Sequence, residues 1–290
     1  MRVLLNLLRF LTKCQFIRRS LRYRVFDFYK LNWSFNCGFY GLVWKGNLNN
    51  YIDRSVFFFG AHEREYLEFS VNFLNAESIV IDAGANVGNH SLFYSTLVKE
   101  VFAFEPNPQT FTLLREHVNC NSINNLLAIN SALVATNGSY SYFKPTGDNL
   151  GIGSLLPNFS PSNSNVPIKI SHIVGDQFVD EYLTDLSFIK VDTEGFDSHV
   201  LFGLGNSILK YKPIIQLEFS RDFFSDWDFF VSNYLNEYKI FTMVCNRPFF
   251  VFNRAKVQLS SFDKGKLRSE VLIIPEKKFF ELRLDRFTVQ

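Results

Sequence analysis

Cysteine and net charge are both scarce in this chain of 290 residues, and each scarcity argues against a class of protein. The four cysteines are scattered without C-x-x-C or any other ligand spacing, so nothing suggests a disulfide framework or a zinc site. A reducing compartment, the cytoplasm, is therefore expected. The net charge of +2 gives no electrostatic reason to expect a nucleic-acid partner. The histidines lack H-E-x-x-H or similar spacing, so no metal is predicted.

Long apolar runs are missing as well, even from the basic N-terminal segment. Seven arginines and lysines precede the first acid, Asp27, with leucines and phenylalanines between them. The segment falls short of the ~18 uninterrupted apolar residues of a membrane span and has no small-residue cleavage site of a signal peptide. Residues 1–24 are predicted to form a basic amphipathic helix that lies on an anionic membrane surface, against a partner, or packed onto the chain's own domain. We expect the last of these arrangements, because apolar side chains fall on both sides of the helix.

Residues 78–106 have the pattern of a strand, a glycine-bearing turn, a helix and a second strand. The first apolar run ends at Asp82, the turn contains Gly84 and Gly88, and the second run ends at Glu105. This pattern predicts a βαβ unit, whose turn lies where open α/β sheets bind ligands. Glu105 lies ~20 residues beyond the turn, where an acid can accept hydrogen bonds from both ribose hydroxyls of a nucleoside. The unit predicts an adenosine-containing cofactor.

Two asparagines in the turn decide which cofactor is expected. A dinucleotide fingerprint reads G-x-G-x-x-G, but Asn86 and Asn89 stand where its later glycines belong. A pyrophosphate cradle is therefore disfavoured, and a nicotinamide-dependent oxidoreductase remains only as an alternative. The order acid-x-Gly-x-Asn-x-Gly instead resembles the loop of class I S-adenosylmethionine-dependent methyltransferases, in which Asp82 would face the cofactor's positively charged methionine part. A non-catalytic module that binds S-adenosylmethionine is the second alternative.

Strands alternate with helices along most of the remaining chain, which predicts a doubly wound, mostly parallel α/β sheet. Helices are predicted over residues 63–74, 111–117, 198–204 and 224–238. Strands are predicted over residues 126–134, 186–191, 214–217, 240–244 and 271–274, with short strand-rich segments over 33–44 and 51–59. Residues 138–167 are rich in Gly, Pro, Ser and Asn and are predicted to form a loop, which at this length is uncommon unless it is functional or disordered.

A second group of ionisable residues ends the strand predicted over residues 186–191. An interior parallel strand is expected to be continuously apolar, so Lys190 needs an acid nearby, and Asp192 lies two residues away on the same face. Glu194 follows it, and Glu218 ends the next strand, so the three acids line one rim of the sheet if these strands are neighbours. The rim is interpreted either as a set of catalytic groups with shifted pKa values or as a lysine-centred ion-pair network.

Together these motifs resemble the FkbM family of methyltransferases. The segments that carry the resemblance stand in the family's order and spacing, and they are residues 82–88, 104–107, 190–195 and 213–218. The resemblance implies a Rossmann-like class I methyltransferase fold. It also implies transfer of a methyl group from S-adenosylmethionine to oxygen, usually a hydroxyl of a sugar or of a sugar-bearing metabolite. Thr193 departs from the pattern, because an aliphatic residue is more usual there.

The motifs and the resemblance assign roles to particular residues. Lys190, Asp192 and Glu194 are predicted to be catalytic, with a carboxylate that takes the proton of the acceptor hydroxyl and His90 as an alternative base. The predicted cofactor-binding residues are Asp82, Gly84, Asn86, Gly88 and Glu105. The residues predicted to bind the acceptor, a small molecule or glycan, are Asn149, Ser154 and Glu218. The predicted domains are an N-terminal extension over residues 1–50, a methyltransferase domain over 51–275 and a tail over 276–290.

Overall fold

The structure is a computed structural model that describes residues 30–144, 153–157, 167–246 and 256–289. Asn149 and the predicted basic helix of residues 1–24 lie outside the described residues. Within those ranges, no helix is long and apolar enough to cross a membrane. Peripheral membrane contact through residues 1–24 stays a prediction.

The described chain forms strands and α-helices in alternation. The strands are β1 Ser34–Phe39, β2 Leu42–Asn47, β3 Ile79–Ala83, β4 Glu100–Phe104, β5 Leu126–Ile129, β6 Ala132–Val134, β7 Ser141–Tyr142, β8 Ile168–Lys169, β9 His172–Val174, β10 Phe188–Val191, β11 Ile214–Ser220, β12 Tyr238–Asn246, β13 Lys256–Ser261 and β14 Arg268–Pro275. The α-helices are α1 Tyr51–Phe59, α2 Arg64–Phe69, α3 Asn89–Ser95, α4 Pro108–Cys120, α5 Gly175–Tyr182, α6 Asp197–Gly203, α7 Gly205–Tyr211, α8 Trp227–Tyr234 and α9 Glu276–Glu281. Short 3₁₀ helices lie at Ser70–Asn72, Arg221–Phe223 and Leu284–Phe287.

Eight strands form the central sheet, in the order β13-β12-β14-β11-β10-β3-β4-β5. The neighbours from β11 to β5 pair in parallel, whereas β14 runs antiparallel to β11 and to β12, and β13 runs antiparallel to β12. The predicted doubly wound, mostly parallel α/β fold is therefore confirmed. The chain proceeds outward from β3 in one direction and from β10 in the other, so the strand order reverses between these two neighbours. In open α/β sheets, ligands bind in the crevice beyond the carboxyl ends of the strands at such a switch point.

Helices cover both faces of the sheet, which explains why the inner strands are apolar in almost every position. In one hydrophobic cluster, the helices α1, α2, α3, α4 and α9 and the β1–β2 hairpin pack against the first face of the sheet. Trp44 is fully buried within this cluster. In a second hydrophobic cluster, the helices α5, α6, α7 and α8 pack against the opposite face of the sheet. The hairpin, which falls inside the predicted extension of residues 1–50, thus packs on the same core as the sheet. The domain boundaries themselves stay predictions.

The segment Tyr51–Phe59 is a helix, and its prediction as strand-rich was wrong. Aromatic and β-branched residues dominate its sequence, and these residues favour strands. Two local interactions favour the helix instead. The side chain of Asn50 accepts a hydrogen bond from the Ile52 N–H at 2.9 Å and so caps the first turn. Asp53 then accepts hydrogen bonds from the Trp44 indole and the Asn47 N–H, both at 2.9 Å, which fastens the helix to the hairpin.

Other predicted boundaries of helices and strands differ from the structure because of tertiary contacts. The strand predicted over residues 126–134 is divided: β5 joins the central sheet, and β6 pairs with β9 in a separate two-stranded sheet. Asn130 lies at the division, and its side-chain amide donates to the Glu105 carbonyl at 2.8 Å. The helix predicted over residues 224–238 is shorter, and β13 was not predicted at all.

Candidate active site

A cleft opens at the switch point, beyond the carboxyl ends of β3, β4 and β10. It holds about 1080 Å³ of empty space when its open mouth is counted, which is ample for a small organic cofactor. Seven of the predicted site residues line it, with the alternative base included, and these are Gly84, Asn86, His90, Glu105, Lys190, Asp192 and Glu194. The predicted residues Asp82, Gly88, Ser154 and Glu218 are described but do not line it.

The turn after β3 runs in an unusual backbone conformation. Gly84, Asn86 and Gly88 have φ values of 84°, 53° and 99°. Asparagine tolerates this left-handed region better than most residues, which explains how it replaces a glycine at position 86. A Cβ atom on Gly84 would lie 1.8 Å from the carbonyl oxygen of Asp192, so a larger residue there would clash with the backbone that follows β10. This turn, which is the predicted cofactor loop, therefore lies directly against the acidic end of β10.

Glu105 presents a fixed carboxylate to the cleft. One oxygen accepts the Asn86 N–H and the other accepts the Asn107 N–H, both at 2.8 Å. Burial raises the pKa of Glu105 to about 7, although these backbone hydrogen bonds oppose the shift. Each carboxylate oxygen keeps a further lone pair, so the group can still accept hydrogen bonds from ligand hydroxyls.

Asp82 lies beneath the turn instead of in the cleft wall. It is fully buried, accepts a hydrogen bond from the Ser91 hydroxyl at 2.5 Å, and has its other oxygen 3.6 Å from the Lys190 ammonium. Burial raises the pKa of Asp82 above its ordinary value, against the opposing effect of Lys190. Asp82 thus ties β3 to α3 and to β10, and the structure does not place it facing the cleft.

Lys190 and Asp192 form a close ion pair on the cleft wall. The Lys190 side chain is 4% exposed, and its ammonium lies 3.0 Å from Asp192 Oδ2. Burial opposes the charge of Lys190, but Asp192 and Asp82 together raise its pKa well above the ordinary value. Burial would likewise raise the pKa of Asp192, but the ammonium beside it outweighs this effect and lowers that pKa. Asp192 is therefore the ionised acid of the site at neutral pH.

The acidic rim is present, and it is larger than the sequence predicted. β10 and β11 are parallel neighbours, and Glu218 is hydrogen-bonded to Asp192, so the predicted adjacency of their terminal acids is confirmed. Burial first and neighbouring acids second raise the pKa of Glu194 to about 8 and that of Glu218 to about 9. Glu270 of β14 stands opposite Glu218, and burial raises its pKa well above the ordinary value. The sequence pattern gave no sign of Glu270, because its place depends on the register of a distant antiparallel strand.

A buried acid shapes the turn that carries Glu194. Asp197 accepts hydrogen bonds from the Thr193 N–H at 2.7 Å, the Thr193 hydroxyl at 2.8 Å and the Gly195 N–H at 3.2 Å. The hydroxyl contact accounts for a threonine at this position. Ser154 donates to the Glu194 carbonyl at 2.6 Å, so it also anchors this turn. Asp197 was missed, although an acid directly before the helix predicted over residues 198–204 is a recognisable capping signal.

The loop before α2 adds His62 to the cleft wall. The Asn89 side chain holds the His62 backbone at two points, accepting from its N–H at 3.0 Å and donating to its carbonyl at 2.9 Å. Glu63 lies 3.9 Å from both the His62 and the His90 imidazoles. Burial lowers the pKa of His90 well below its ordinary value, so that side chain is neutral. His62 was not among the predicted site residues, because its approach to the cleft depends on contacts between distant segments.

The residues that line the cleft fit S-adenosylmethionine better than a dinucleotide. Glu105 offers an acceptor for ribose hydroxyls, and Phe104, Leu133 and Tyr142 add apolar and aromatic surface for a base. Among the described lining residues, Lys190 is the one lysine or arginine, and it is paired with Asp192. A pyrophosphate would therefore meet acids with little compensating positive charge, whereas a positively charged sulfonium is compatible with them.

Comparison with known sequences gives the family. The sequence profile of the FkbM methyltransferase domain matches residues 82–238, which is more than half of the chain. The chain therefore belongs to the FkbM family of methyltransferases. Its cofactor is S-adenosylmethionine, as the resemblance implied.

The individual proteins similar to this chain share less than 30% sequence identity with it. The hexuronic acid methyltransferase AglP of Haloferax volcanii is 28% identical over 154 residues, which cover 53% of this chain and 61% of that protein. The FkbM methyltransferase structure from Methylobacillus flagellatus is 16% identical, with 68% of this chain and 43% of that chain covered and a TM-score of 0.41. An rRNA methylase from Streptococcus thermophilus is 16% identical, with coverage of 72% and 93% and a TM-score of 0.39.

Proposed function

We propose that this chain is an S-adenosylmethionine-dependent O-methyltransferase that acts on a hydroxyl of a sugar or glycan-linked acceptor. Family membership supports the methyl transfer, and the name of the hexuronic acid methyltransferase supports a sugar as acceptor. The observation that carries the proposal is the position of the acidic strand end. Lys190, Asp192 and Glu194 line the same cleft as Gly84 and Glu105.

The cofactor side of the cleft is assigned to the loop after β3 and to Glu105. Its carboxylate would accept hydrogen bonds from the two ribose hydroxyls, because both oxygens are held in place by backbone N–H groups. The turn from Gly84 to Gly88 would lie alongside the methionine part. When bound, S-adenosylmethionine supplies the activated methyl group.

The acceptor side is assigned to Asp192 and Glu194, with different roles. Asp192 is ionised and fixed by Lys190, so it would accept a hydrogen bond from the acceptor hydroxyl and orient its oxygen. Glu194 has a pKa of about 8, which is much closer to neutral pH than that of an ordinary carboxyl group. Glu194 would therefore take the hydroxyl proton more effectively than Asp192, since a base works best when its pKa is near the working pH.

The test is methyl transfer from labelled S-adenosylmethionine to a panel of glycosides by the full chain. Asp192→Asn keeps the shape of the side chain but removes the charge that orients the acceptor hydroxyl, so turnover should fall by about 10²-fold while affinity for S-adenosylhomocysteine stays near that of the wild type. Glu194→Gln should also abolish the rise in rate as the pH approaches 8. Asp180→Asn is the matched control, because Asp180 is an exposed acid paired with Lys210 on another surface. If Asp192→Asn remains active and loses only thermal stability, the rim is a structural ion-pair network.

A further inference from the structure

His62 differs from the other four histidines of the chain in the contacts of its imidazole. Each of the others has a hydrogen-bond contact at a ring nitrogen: His90 with Asn89, His117 with two backbone carbonyls, His172 with the Gly138 N–H and His199 with Ser198. No residue of the described ranges makes such a contact with the His62 ring, and Glu63 Oε1 lies 3.9 Å from its Nε2, beyond the ~3.2 Å of a hydrogen bond. The ring lines the cleft and the side chain is 27% exposed, so a ligand in the cleft can reach it.

The backbone that carries His62 is held in place from outside its own loop. This loop, residues 60–63, connects α1 to α2, and both of its ends have left-handed backbone angles, with φ values of 94° at Gly60 and 50° at Glu63. A glutamate rarely adopts this conformation, so contacts elsewhere must hold the loop. The Asn89 side chain supplies two of them, since it accepts from the His62 N–H at 3.0 Å and donates to the His62 carbonyl at 2.9 Å. The backbone position of His62 is therefore fixed by the protein itself.

Asn89 also connects His62 to the predicted cofactor loop. It directly follows Gly88 and is the first residue of α3. A dinucleotide fingerprint has a glycine at this position, and a glycine has no side chain that could form the two bonds. The asparagine therefore sets the backbone of His62 at a fixed distance from the predicted cofactor loop. Such a connection is suited to a residue that touches the second substrate of a transfer reaction.

His62 and Asp192 border the same part of the cleft. Strand alternation places Asp192 on the same face of the sheet as Lys190, and α1 and α2, which flank His62, pack on that face. Burial would raise the pKa of Asp192, whereas Lys190 and, to a smaller extent, His62 lower it, so the imidazole lies within electrostatic reach of the carboxylate. In the proposed reaction Asp192 orients the acceptor hydroxyl and Glu194 takes its proton, which leaves His62 for another oxygen. Neighbouring hydroxyls of a sugar lie about one hydrogen-bond length apart, so Asp192 and His62 can hold one each.

We propose that His62 determines acceptor specificity by hydrogen-bonding a second hydroxyl, next to the one that is methylated. A neutral imidazole has one nitrogen that donates and one that accepts, so it can bind a hydroxyl in either direction. The acceptor is thereby narrowed to compounds with two neighbouring hydroxyls, as on a sugar ring. This assignment rests on the proposed sugar methyl transfer and adds to it a required feature of the acceptor.

The experiment compares acceptors that differ by one hydroxyl, with the full chain and labelled S-adenosylmethionine. The probes are the methyl glycosides of glucose, galactose, mannose and glucuronic acid. For the glycoside that is used most efficiently, NMR of the product gives the methylated position, and the monodeoxy forms that lack a hydroxyl next to that position are then tested. We expect one of these deoxy forms to have a kcat/KM about tenfold below that of the parent, because a hydrogen bond to the protein is lost.

His62→Ala distinguishes a direct contact from a structural role. The variant should use the parent glycoside about tenfold less efficiently but that deoxy form as well as the wild type does, so the preference disappears. A merely structural residue would lower both values by the same factor. His62→Gln, which keeps a hydrogen-bonding group, should retain part of the preference. His172→Ala is the matched control and should keep the full preference, because His172 is half-buried and does not line the cleft. Affinity for S-adenosylhomocysteine should be unchanged in all three variants.

Failure of the His62 assignment can be told apart from failure of the proposed function. If the full chain methylates a glycoside but uses its deoxy forms equally well, the acceptor needs no second hydroxyl, and the assignment is wrong while the function stands. The same holds if His62→Ala keeps the preference of the wild type. If the chain methylates none of the glycosides, the proposed function is wrong, and the role of His62 in acceptor binding falls with it.

Discussion

Lys190 is the residue whose replacement tests the arrangement of the site most directly. It stands opposite Asp82 across the β3–β10 pair, with 3.6 Å between the charged atoms, and 3.0 Å from Asp192 on its own segment. Lys190→Met keeps the length and apolar stem of the side chain but removes its charge. Asp82, which is fully buried, would then be left without a cation. Breaking one partner of a buried ion pair costs about 3–5 kcal/mol, because the remaining charge is not solvated.

The loss of stability in Lys190→Met should come mainly from the unpaired charge of Asp82 and only secondarily from that of Asp192. The Asp192 side chain is 33% exposed, so water can solvate its charge once Lys190 is gone. The double variant Lys190→Met, Asp82→Asn removes the buried charge as well, and it should recover most of the stability lost by the single variant. The loss in the single variant should also shrink at acidic pH, because Asp82 can neutralise itself by protonation.

Urea unfolding, followed by circular dichroism, measures these differences at pH 7 and pH 5. Lys210→Met is the matched control. Lys210 is 56% exposed and pairs with Asp180 on the surface, so this substitution should lower the free energy of unfolding by less than about 1 kcal/mol. The reasoning is refuted if Lys190→Met costs no more than the control. It is also refuted if the double variant is no more stable than the single one, since Asp82 would then not be the uncompensated charge.

Two further predictions concern Glu105 and the acidic rim. Glu105→Ala should weaken binding of S-adenosylhomocysteine by roughly 2–4 kcal/mol in calorimetry, because two charge-assisted hydrogen bonds are lost. Glu100→Ala, at the opposite end of the same strand, is its control, and equal affinity in the two variants would contradict the assignment. The folded protein holds a proton on Glu218 up to about pH 9, whereas an unfolded glutamate loses it near pH 4.5, so stability should fall as the pH rises between these values. Glu218→Gln should flatten the fall in melting temperature between pH 5 and 9, and an unchanged slope would show that Glu218 does not cause it.

The sequence predicted the parts of the fold that depend on local periodicity. An apolar run of strand length that ends in an acid recurs at Asp82, Glu105 and Asp192, and the structure places all three at one end of parallel strands. Parallel strands share the direction of their carboxyl ends, so their terminal residues meet without any knowledge of side-chain packing. The rim of Asp192, Glu194 and Glu218 could be predicted for the same reason.

The remaining features depend on contacts between distant segments, which periodicity does not report. Tyr51–Phe59 is an exception of shorter range: it is a helix because Asn50 caps it and Asp53 binds the preceding hairpin, whereas its aromatic content alone favours a strand. Glu270 enters the rim through the register of β14 against β11. His62 reaches the cleft because the side chain of Asn89, which is remote in sequence, holds its backbone.

The position of Asp82 shows why a motif can be recognised correctly and its acid still be placed incorrectly. A strand-terminal acid beside a glycine turn suggests a group that faces the ligand, but successive residues of a strand point to opposite faces. Asp82 shares its face with Lys190 and with the Ser91 hydroxyl, beneath the turn. Above it, Gly84 brings the turn against the carbonyl of Asp192, and the Asp192 N–H donates to the Ala83 carbonyl at 3.0 Å. The cofactor loop and the acidic rim are therefore joined both by backbone and by one buried lysine. In the proposed methyl transfer, such a connection would fix the distance between cofactor and acceptor, and that distance is what the reaction requires of the protein.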